Sequence, residues 1–287
     1  MNKTVLITGC SSGIGYETAL KFAWEGWRTF ASVRNLESAG AKNLEEIAKE
    51  EKLDLQVIRI DVTDDVSIRE ATQKIVHKAE RIDCLVNNAG YGHIGPIEDF
   101  EIAEIEEQYN TNVFGILRMI KSVAPQMRKQ KSGTIINISS VVGLVPPPFY
   151  GIYSSSKFAL ESLSEVLNFE LARFGIKVII IEPGVFLSNF PINKKVAKKA
   201  LRHDSIYYPA MSKLSKRLGG GRGWLEKSFL SNLVHPRRVA NLIYKTATTD
   251  NPKLRYKIGP DTHAQHFLHR LLPNFLWHSL LHRAFQW

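Results

Sequence analysis

The most informative segment for the fold is residues 4 to 15, TVLITGCSSGIG. Thr4 to Thr8 is a short, mostly β-branched run typical of a buried strand, and apolar residues at helical spacing follow from Gly15. Gly9, Gly13 and Gly15 would let the backbone turn tightly and approach a pyrophosphate held at the N-terminus of the helix. Glycine-rich turns also serve plain strand-to-helix connections. The position directly after a first strand favours a nucleotide site.

The same alternation of short β-branched runs and helical segments continues to about Pro183. It predicts an α/β fold, a doubly wound parallel sheet of about seven strands with helices on both faces. The predicted strands are Thr4–Thr8, Thr29–Val33, Leu55–Ile60, Cys84–Asn87, Gly133–Ile138, Lys177–Ile181 and Arg255–Ile258. The predicted helices are Gly15–Gly26, Asn43–Lys52, Asp65–Arg81, Ile102–Lys129 and Tyr153–Phe174. We expect a single domain over residues 1–287, because no repeat or low-complexity linker interrupts the chain.

The positive charge of the chain is concentrated in one segment. The 287 residues carry 38 lysines and arginines against 28 acids, a formal net charge of +10. Between Pro191 and Arg238 lie twelve of these bases but only two acids, so the rest of the chain has 26 of each. Such a segment indicates binding to an anionic membrane, binding to a phosphorylated ligand, or simply a face of the protein that is exposed to solvent. We discount nucleic acid, because no recognition motif accompanies the charge.

Composition also limits the class of protein. At 44% hydrophobic and 23% charged residues the chain is too apolar to be disordered. Two cysteines, Cys10 and Cys84, cannot form a disulfide framework and indicate small core residues in a reducing compartment. We therefore expect a cytoplasmic protein. No run approaches the roughly 20 apolar residues of a membrane-spanning helix.

The residue after the second predicted strand indicates the cofactor. An acid there would accept hydrogen bonds from the ribose of NAD(H) and repel a 2′-phosphate, but Val33 is followed by Arg34. A guanidinium can bind a phosphate through two parallel hydrogen bonds. We therefore predict that NADP(H) is preferred and NAD(H) possible, with the Ser11 hydroxyl as a second contact. The alternative is that Arg34 is an ordinary exposed turn residue.

A tyrosine and a lysine four residues apart carry the strongest local signal for chemistry. Tyr153 and Lys157 would share one face of a helix, and Ser140 ends a predicted strand just upstream. A nearby ammonium stabilises phenolate, so we expect Lys157 to lower the pKa of Tyr153 and make it a usable general acid and base. The alternative is a core tyrosine beside a solvated lysine.

These residues join others at the ends of predicted strands to form one ordered series. The series is Thr8-Gly9-x-x-x-Gly13-x-Gly15, Asp61, Asn87-Asn88-Ala89-Gly90, Asn112, Ser140, Tyr153-x-x-x-Lys157 and Pro183-Gly184. Over roughly residues 3 to 188 the chain thereby resembles the short-chain dehydrogenase/reductase family. Its glycine loop, the Val33-Arg34 pair and Asn251-Pro252-x-Leu254-Arg255-Tyr256 are most similar to the branch of 17β-hydroxysteroid and retinol dehydrogenases.

The resemblance implies a Rossmann-type fold and a catalytic tetrad of Asn112, Ser140, Tyr153 and Lys157. Together with the strand-end residues it implies an extended cofactor site. The predicted cofactor residues are Gly9, Ser11, Ser12, Gly13, Ile14, Gly15, Arg34, Asp61, Val62, Asn88, Ala89, Gly90, Tyr153, Lys157, Pro183, Gly184, Val185 and Ser188. In particular it implies that Asp61 contacts the adenine, that Asn88 lines the cleft and that Asn112 bends its helix. It also implies a homodimer or homotetramer built from the helices near 102–129 and 153–174.

The expected activity is NADP(H)-dependent interconversion of a carbonyl and an alcohol. The substrate would be lipophilic, because apolar residues flank the predicted serine and the following lid. The predicted substrate-binding residues are Val141, Leu144, Phe149, Phe186 and Phe190. An alternative is a catalytically silent, NADP-sensing interaction protein with the same fold. The intact tetrad argues against this alternative.

Two further segments lie outside this series. Residues 186–238 are the expected substrate lid, with a helix-like basic stretch at Pro191–Asp204 and a flexible joint at Gly219-Gly220-Gly221. The tail, residues 263–287, has five histidines, two arginines and no acid among its apolar residues. No compact metal-ligand set emerges there, so we expect no metal. The apolar residues of the tail could be buried against the body of the protein, against a partner subunit or, through peripheral contact, in an anionic membrane.

Overall fold

A seven-stranded parallel sheet lies at the centre of the protein. The computed structural model describes residues 2–184, 195–219 and 235–285. The strands are β1 (Thr4–Ile7), β2 (Arg28–Val33), β3 (Leu55–Arg59), β4 (Cys84–Asn87), β5 (His93–Ile94), β6 (Gly133–Ile138), β7 (Ile176–Pro183), β8 (Lys195–Val196) and β9 (Arg255–Ile258). The main sheet has the order β3-β2-β1-β4-β6-β7-β9, and β5 pairs with β8 alone. The predicted fold class and all seven predicted strands are confirmed, with ends shifted by at most two residues.

Helices connect these strands and cover both faces of the sheet. They are α1 (Gly13–Trp24), α2 (Ala39–Glu50), α3 (Asp65–Ala79), α4 (Ile102–Tyr109), α5 (Gly115–Gln130), α6 (Gly151–Ala172), α7 (Tyr208–Gly219), α8 (Pro236–Ala247), α9 (Pro260–Leu271) and α10 (Asn274–Phe285). One apolar layer joins α1, α2 and α8 to one face, and the other joins α3, α5 and α6 to the opposite face. The strands are apolar on both faces for this reason. Cys10 and Cys84 are both fully buried in the first layer, as predicted.

The strand order reverses at β1, and this reversal fixes where a ligand can bind. β1 pairs with β2 on one side and with β4 on the other, so the chain leaves β1 and β4 in opposite directions across the sheet. Open α/β sheets bind ligands in the crevice that this divergence creates beyond the carboxyl ends of the strands. The glycine loop follows β1 directly at that edge.

The predicted helix over Ile102–Lys129 is interrupted. A π-helical segment, Asn110–Phe114, separates α4 from α5 and contains the fully buried Asn112. A π-helical turn widens the helix and redirects side chains, and such turns occur often at functional sites. The helix is therefore irregular at the residue that was expected to bend it.

The predicted helix over Pro191–Asp204 is wrong for the described part of that stretch. Lys195 and Val196 form β8 beside β5, and Lys199–Leu201 is a single 3₁₀ turn. Ala197 and Ala200 are fully buried against the core formed by Ile94, Phe100, Ile152 and Met211. Pairing with β5 and these two small apolar contacts fix the segment, so a continuous amphipathic helix cannot form there.

The basic residues of this segment that are described lie at the surface. Lys199 lies 3.5 Å from Asp99, Arg202 pairs with Asp204 at 2.7 Å, and Lys195 pairs with Glu107. Their side chains are each half exposed or more. The pairs of Lys195 and Arg202 join two exposed side chains and contribute little to stability, because water screens them, whereas Asp99 is buried. For these residues the solvated-face interpretation of the basic segment fits best.

The glycine loop rests on the start of α2, where Gly40 permits a close backbone approach. A Cβ at Gly40 would lie 1.9 Å from the Ser11 carbonyl oxygen, which is inside any allowed contact distance. The loop after β1 is thus shaped by α2 as well as by its own glycines.

We predict that Gly40→Ala lowers the free energy of unfolding by about 1–3 kcal/mol, the usual cost of overpacking, although alanine is the better helix former. Urea denaturation of the wild type and of Gly40→Ala measures this difference in free energy. Ala39→Gly is the control, since Ala39 is an exposed neighbour on the same helix. It should cost only about 0.5–1 kcal/mol through helix propensity. An unchanged or increased stability of Gly40→Ala would contradict the contact.

Candidate active site

The glycine loop packs backbone against backbone at the carboxyl edge of the sheet. Gly9 has φ +73°, and a Cβ there would lie 2.8 Å from the Ala89 Cα. A Cβ at Gly15 would lie 2.4 Å from the Gly9 carbonyl oxygen. Any larger side chain at these two positions would push the loop out of place. The loop therefore forms a cradle of exposed backbone at the N-terminus of α1, which fits a pyrophosphate.

Asn88 holds this cradle to the end of β4. Its side-chain amide donates to the carbonyls of Thr8 and Gly9 at 2.9 and 3.0 Å. The Thr8 hydroxyl accepts from the backbone N–H groups of Asn88 and Ala89, both at 3.0 Å. Asn88 thus fixes the glycine loop through its side-chain amide, and its predicted place in the cofactor cleft stays a prediction. Gly90, two residues further on, is exposed.

Two arginines face one acid beyond the ends of β2 and β3. Arg34 is exposed just after Val33, and Arg59 is exposed opposite Val33 in the strand register. Partial burial raises the pKa of Asp61, but hydrogen bonds from Thr63 and the charges of both arginines outweigh it, so the pKa is lowered. Sequence reasoning missed Arg59, although its place at the end of β3 was a usable signal.

Asp61 and Val62 differ in exposure. One Asp61 carboxylate oxygen accepts from the Thr63 amide at 2.9 Å and the Thr63 hydroxyl at 2.7 Å, which fixes the side chain. Val62 is buried, and a Cβ at Gly115 would come within 3.1 Å of its side chain. Val62 therefore packs the turn against α5, whereas the carboxylate is half exposed.

Asn112 is bound to the backbone of Tyr91 by both atoms of its amide. Its oxygen accepts from the Tyr91 N–H at 3.2 Å, and its nitrogen donates to the Tyr91 carbonyl at 2.9 Å. The same nitrogen lies 3.3 Å from the Ser156 hydroxyl on α6. The π-helical turn thus joins the loop after β4 to the helix that carries Tyr153.

Ser140, Tyr153 and Lys157 meet at the carboxyl end of β6. Ser140 begins a 3₁₀ turn, Val141–Gly143, and its hydroxyl accepts from the Val142 N–H at 3.4 Å. Tyr153 and Lys157 lie in the first two turns of α6, and each is only 6% exposed. The Lys157 ammonium donates to the Ile138 carbonyl at 2.8 Å. The three residues that the sequence singled out are brought together.

Burial is the largest influence on the pKa values of Tyr153 and Lys157. It raises the pKa of the Tyr153 phenol, and a hydrogen bond with Ser140 opposes this shift. Burial also lowers the pKa of Lys157 to about 8, against the opposing charge of Glu161. The expected lowering of the Tyr153 pKa by Lys157 is therefore not found. The reason is that the buried phenol loses its water while the ammonium binds a main-chain carbonyl.

Pro183 and Gly184 end β7 beside the start of α9. The Gly184 N–H donates to the Ile258 carbonyl at 3.0 Å. A Cβ at Gly184 would lie 2.2 Å from an Asp261 carboxylate oxygen, so that carboxylate approaches the Gly184 backbone closely. Sequence reasoning missed Asp261. The predicted cofactor residues Val185 and Ser188 and the predicted substrate residues Phe186 and Phe190 lie outside the described residues, as does Gly220-Gly221 of the expected joint.

A cavity of about 760 Å³ opens beside the first turn of α6. Pro147, Phe149 and Gly151 line one side of it. The opposite side comes from α10, through Leu281 and two histidines, His278 and His282. Of the predicted substrate-binding residues, Phe149 lines this cavity, whereas Val141 and Leu144 are not among the described residues that line it. The tail residues of this wall were not predicted as site residues.

The arrangement provides the parts of a nucleotide-dependent acid and base site. The glycine cradle, the exposed Arg34 and Arg59, and the buried Ser140 and Tyr153 hydroxyls beside the Lys157 ammonium lie along one edge of the sheet. The cradle and the arginines fit a dinucleotide phosphate. The hydroxyl pair can donate hydrogen bonds to an oxygen on which negative charge develops.

Comparison with known proteins agrees with this geometry. The short chain dehydrogenase family model matches residues 3–199. The 3-ketodihydrosphingosine reductase of Bacteroides thetaiotaomicron is 36% identical over 89% of this chain and 87% of its own length. Human retinol dehydrogenase 8 is 39% identical over 88% of this chain and 80% of its own. The structure of ElxO with NADP bound is 27% identical, covers 90% of this chain and 97% of its own, and has a TM-score of 0.73.

Proposed function

We propose that this chain, which belongs to the short-chain dehydrogenase/reductase family, is an NADP(H)-dependent oxidoreductase acting on a lipophilic carbonyl or alcohol, with Tyr153 as general acid and base. The family makes it an oxidoreductase. The proposed role of Tyr153 rests mainly on one observation: Ser140, Tyr153 and Lys157 lie together at the end of β6, with Tyr153 and Lys157 buried.

In the reducing direction Ser140 and Tyr153 donate hydrogen bonds to the substrate carbonyl oxygen. NADPH held by the glycine cradle would supply the hydride for the carbonyl carbon. As negative charge develops on the oxygen, Tyr153 transfers its proton to it and leaves the alcohol product. The hydride and this proton together reduce the C=O bond, and the reverse direction runs through the same atoms.

Lys157 and Asn112 support this step. The Lys157 ammonium stabilises the phenolate that Tyr153 becomes, and it can donate to the nicotinamide ribose. Asn112 fixes the loop after β4 through Tyr91, and by family resemblance it anchors the water through which Lys157 regains a proton. The Ile138 carbonyl keeps the ammonium at the site before cofactor and substrate bind.

We predict that Tyr153→Phe reduces kcat by at least about 10²–10⁴-fold, the usual contribution of a general acid. The NADPH dissociation constant should change less than about threefold, because the phenyl ring still fills the site. Stopped-flow turnover and fluorescence titration measure the two quantities. Tyr244→Phe, on α8 away from the strand ends, is the control and should keep full turnover. Retained activity of Tyr153→Phe would overturn the assignment.

The preference for NADP(H) rests on charge at the end of β2. Arg34 and Arg59 lie where an adenosine ribose phosphate would be held, and no acid follows Val33. ElxO, a related structure, has NADP bound. A 2′-phosphate held between two guanidinium groups would gain charge-assisted hydrogen bonds that NAD(H) cannot form. NAD(H) use remains possible with weaker binding.

We predict that Arg34→Ala raises the dissociation constant of NADPH by about 10- to 100-fold and leaves that of NADH within about twofold, because only the phosphate contact is lost. Isothermal titration of both cofactors tests this. The exposed Arg69 on α3 provides the control substitution, Arg69→Ala. Wild-type binding of NADH as tight as or tighter than NADPH would refute the preference.

The substrate class is supported by the cavity beside α6. Prolines, Phe149 and Leu281 contribute much of its wall, as expected for a lipophilic compound. Retinol and 3-ketodihydrosphingosine, which the names of two relatives contain, are themselves lipophilic. A screen of NADPH oxidation with hydrophobic ketones and aldehydes identifies the substrate. Turnover of none of them, with NADPH still bound, would favour the silent sensor protein.

The oligomer that we propose, a homodimer or homotetramer, is supported by exposed aromatic residues on two helices. Phe114, next to α5, and Phe158 and Phe169 on α6 are each more than 40% exposed. Large apolar side chains at the surface of long helices favour burial in a subunit interface. Sedimentation equilibrium measures the mass, and a monomer would contradict the proposal.

We also propose peripheral contact of α9 and α10, here called the C-terminal helix pair, with anionic membranes. Phe267, Leu271 and Phe275 are each more than 60% exposed on it. The pair carries Arg270 and Arg283 and only one acid, Asp261, at its start. Exposed apolar residues among cations are typical of interfacial helices. No helix of the described residues has the length and apolar character needed to cross a membrane.

We predict co-sedimentation with phosphatidylserine vesicles at low salt, weakened at least about tenfold by the double substitution Phe267→Ser and Phe275→Ser, since each buried aromatic side chain contributes about 1.5–3 kcal/mol. High salt should also reduce binding, because it screens the cations. Val66→Ser, an exposed apolar position on α3, is the control. No pelleting at low salt would end the proposal.

A further inference from the structure

A cluster of buried charges extends from Lys157 to the last strand of the sheet. Glu161 follows Lys157 by one turn of α6, and both residues are 6% exposed. Glu182 on β7 is fully buried. Arg255 reaches in from β9, with its Nε 3.1 Å from a Glu161 oxygen and 3.5 Å from a Glu182 oxygen. The proposed mechanism uses none of the last three side chains.

Stability alone does not account for this cluster. Taking two carboxylates out of water costs several kcal/mol, and an arginine rarely repays more than that cost. Apolar side chains of similar volume would hold the sheet at least as well, as they do at Ile179, Ile180 and Ile181 next to Glu182 on β7. The charges are therefore expected to act on something nearby, and the nearest proposed catalytic group is the Lys157 ammonium.

The surroundings of Lys157 leave Glu161 as its main charged neighbour. The titratable groups that interact with Lys157 are Tyr153 and Glu161 on α6. Glu182 on β7 and Arg255 and Lys257 on β9 interact with one another or with Glu161, and Asp261 at the start of α9 approaches Gly184. The end of β6 and the π-helical turn contribute only neutral groups, the Ile138 carbonyl, Ser139, Ser140 and Asn112. Among these, Glu161 is the anion that opposes the effect of burial on Lys157.

We propose that Glu161, held by Arg255, is a positioning residue that keeps Lys157 in its ammonium form at neutral pH. The inference rests on the proposed function only for the task assigned to Lys157. Arg255 acts through Glu161. Burial raises the pKa of Glu161, and hydrogen bonds with Ser139 and Arg255 and the charge of the guanidinium oppose that rise without reversing it. The guanidinium therefore favours the ionised carboxylate. The last strand thereby sets the charge of a group on the catalytic helix.

The sign of the expected change follows from burial. Burial already lowers the pKa of Lys157 to about 8. Without the Glu161 anion the ammonium loses its nearest opposite charge, so its titration midpoint falls further. At an effective dielectric constant of about 20, an opposite charge at the roughly 6 Å that separates side chains one helical turn apart corresponds to about two pH units.

The decisive measurement is the titration of the Lys157 side chain itself. Protein labelled with ¹³C and ¹⁵N lysine is titrated by NMR, and the signal missing in Lys157→Met identifies Lys157. Glu161→Gln, which keeps the shape of the side chain, should lower the midpoint by at least one pH unit. Arg255→Lys keeps a cation but loses the forked contact, and it should lower the midpoint by a smaller amount. An unchanged midpoint in both variants would overturn the proposal.

A matched control separates this effect from loss of an ion pair in general. Glu165 accepts from the same guanidinium at 2.7 Å but is half exposed and one turn further from Lys157. Glu165→Gln should leave the midpoint within about 0.3 pH units. A shift as large as that of Glu161→Gln would mean that Arg255 merely holds the strand, and would overturn the proposal.

Turnover gives a second readout. The kcat of Glu161→Gln with NADPH should match the wild type within about twofold at pH 6 and fall at least about 5-fold below it at pH 8, while KM changes little. A loss that is uniform across pH would indicate a structural role and contradict the proposal. If the wild type itself turns over no carbonyl compound, the proposed function fails, but the NMR titration still decides whether Glu161 sets the charge of Lys157.

Discussion

The link between the ends of β1 and β4 is the constraint on which the site depends. The Asn88 amide binds the Thr8 and Gly9 carbonyls, and the Thr8 hydroxyl accepts the next two N–H groups of the β4 end. Gly9 and Gly15 allow these backbones to touch. The strand order reverses at this point, which creates the crevice for a ligand. The hydrogen bonds between the ends of β1 and β4 fix the glycine loop beside that crevice.

The other side of the crevice is built on one helix, α6. Its first two turns carry Tyr153 and Lys157, the π-helical turn meets it through Asn112 and Ser156, and its third turn carries Glu161 toward β9. Burial raises the pKa of the Tyr153 phenol and lowers that of the Lys157 ammonium, so it favours the neutral form of both groups. The same burial requires compensating charge, which the last strand supplies through Arg255.

The C-terminal helix pair has two different environments. One side of α10 faces the cavity with His278, Leu281 and His282, while Leu276 and Leu280, one turn apart, are exposed. This helix therefore contributes both to the wall of the cavity and to the exposed apolar surface of the C-terminal helix pair.

The sequence by itself determined the sheet, the glycine loop and the series from Asn112 to Lys157, because strand period, glycine spacing and helical spacing are local signals. Only the tertiary structure showed that the Asn88 amide binds the loop carbonyls, that residues 195–204 are not a continuous helix, and that burial raises the pKa of Tyr153. It also placed Arg59 beside Arg34 and Arg255 beside Glu161. These facts depend on which distant backbones meet and how much water they exclude, and no local pattern along the chain contains that distance information.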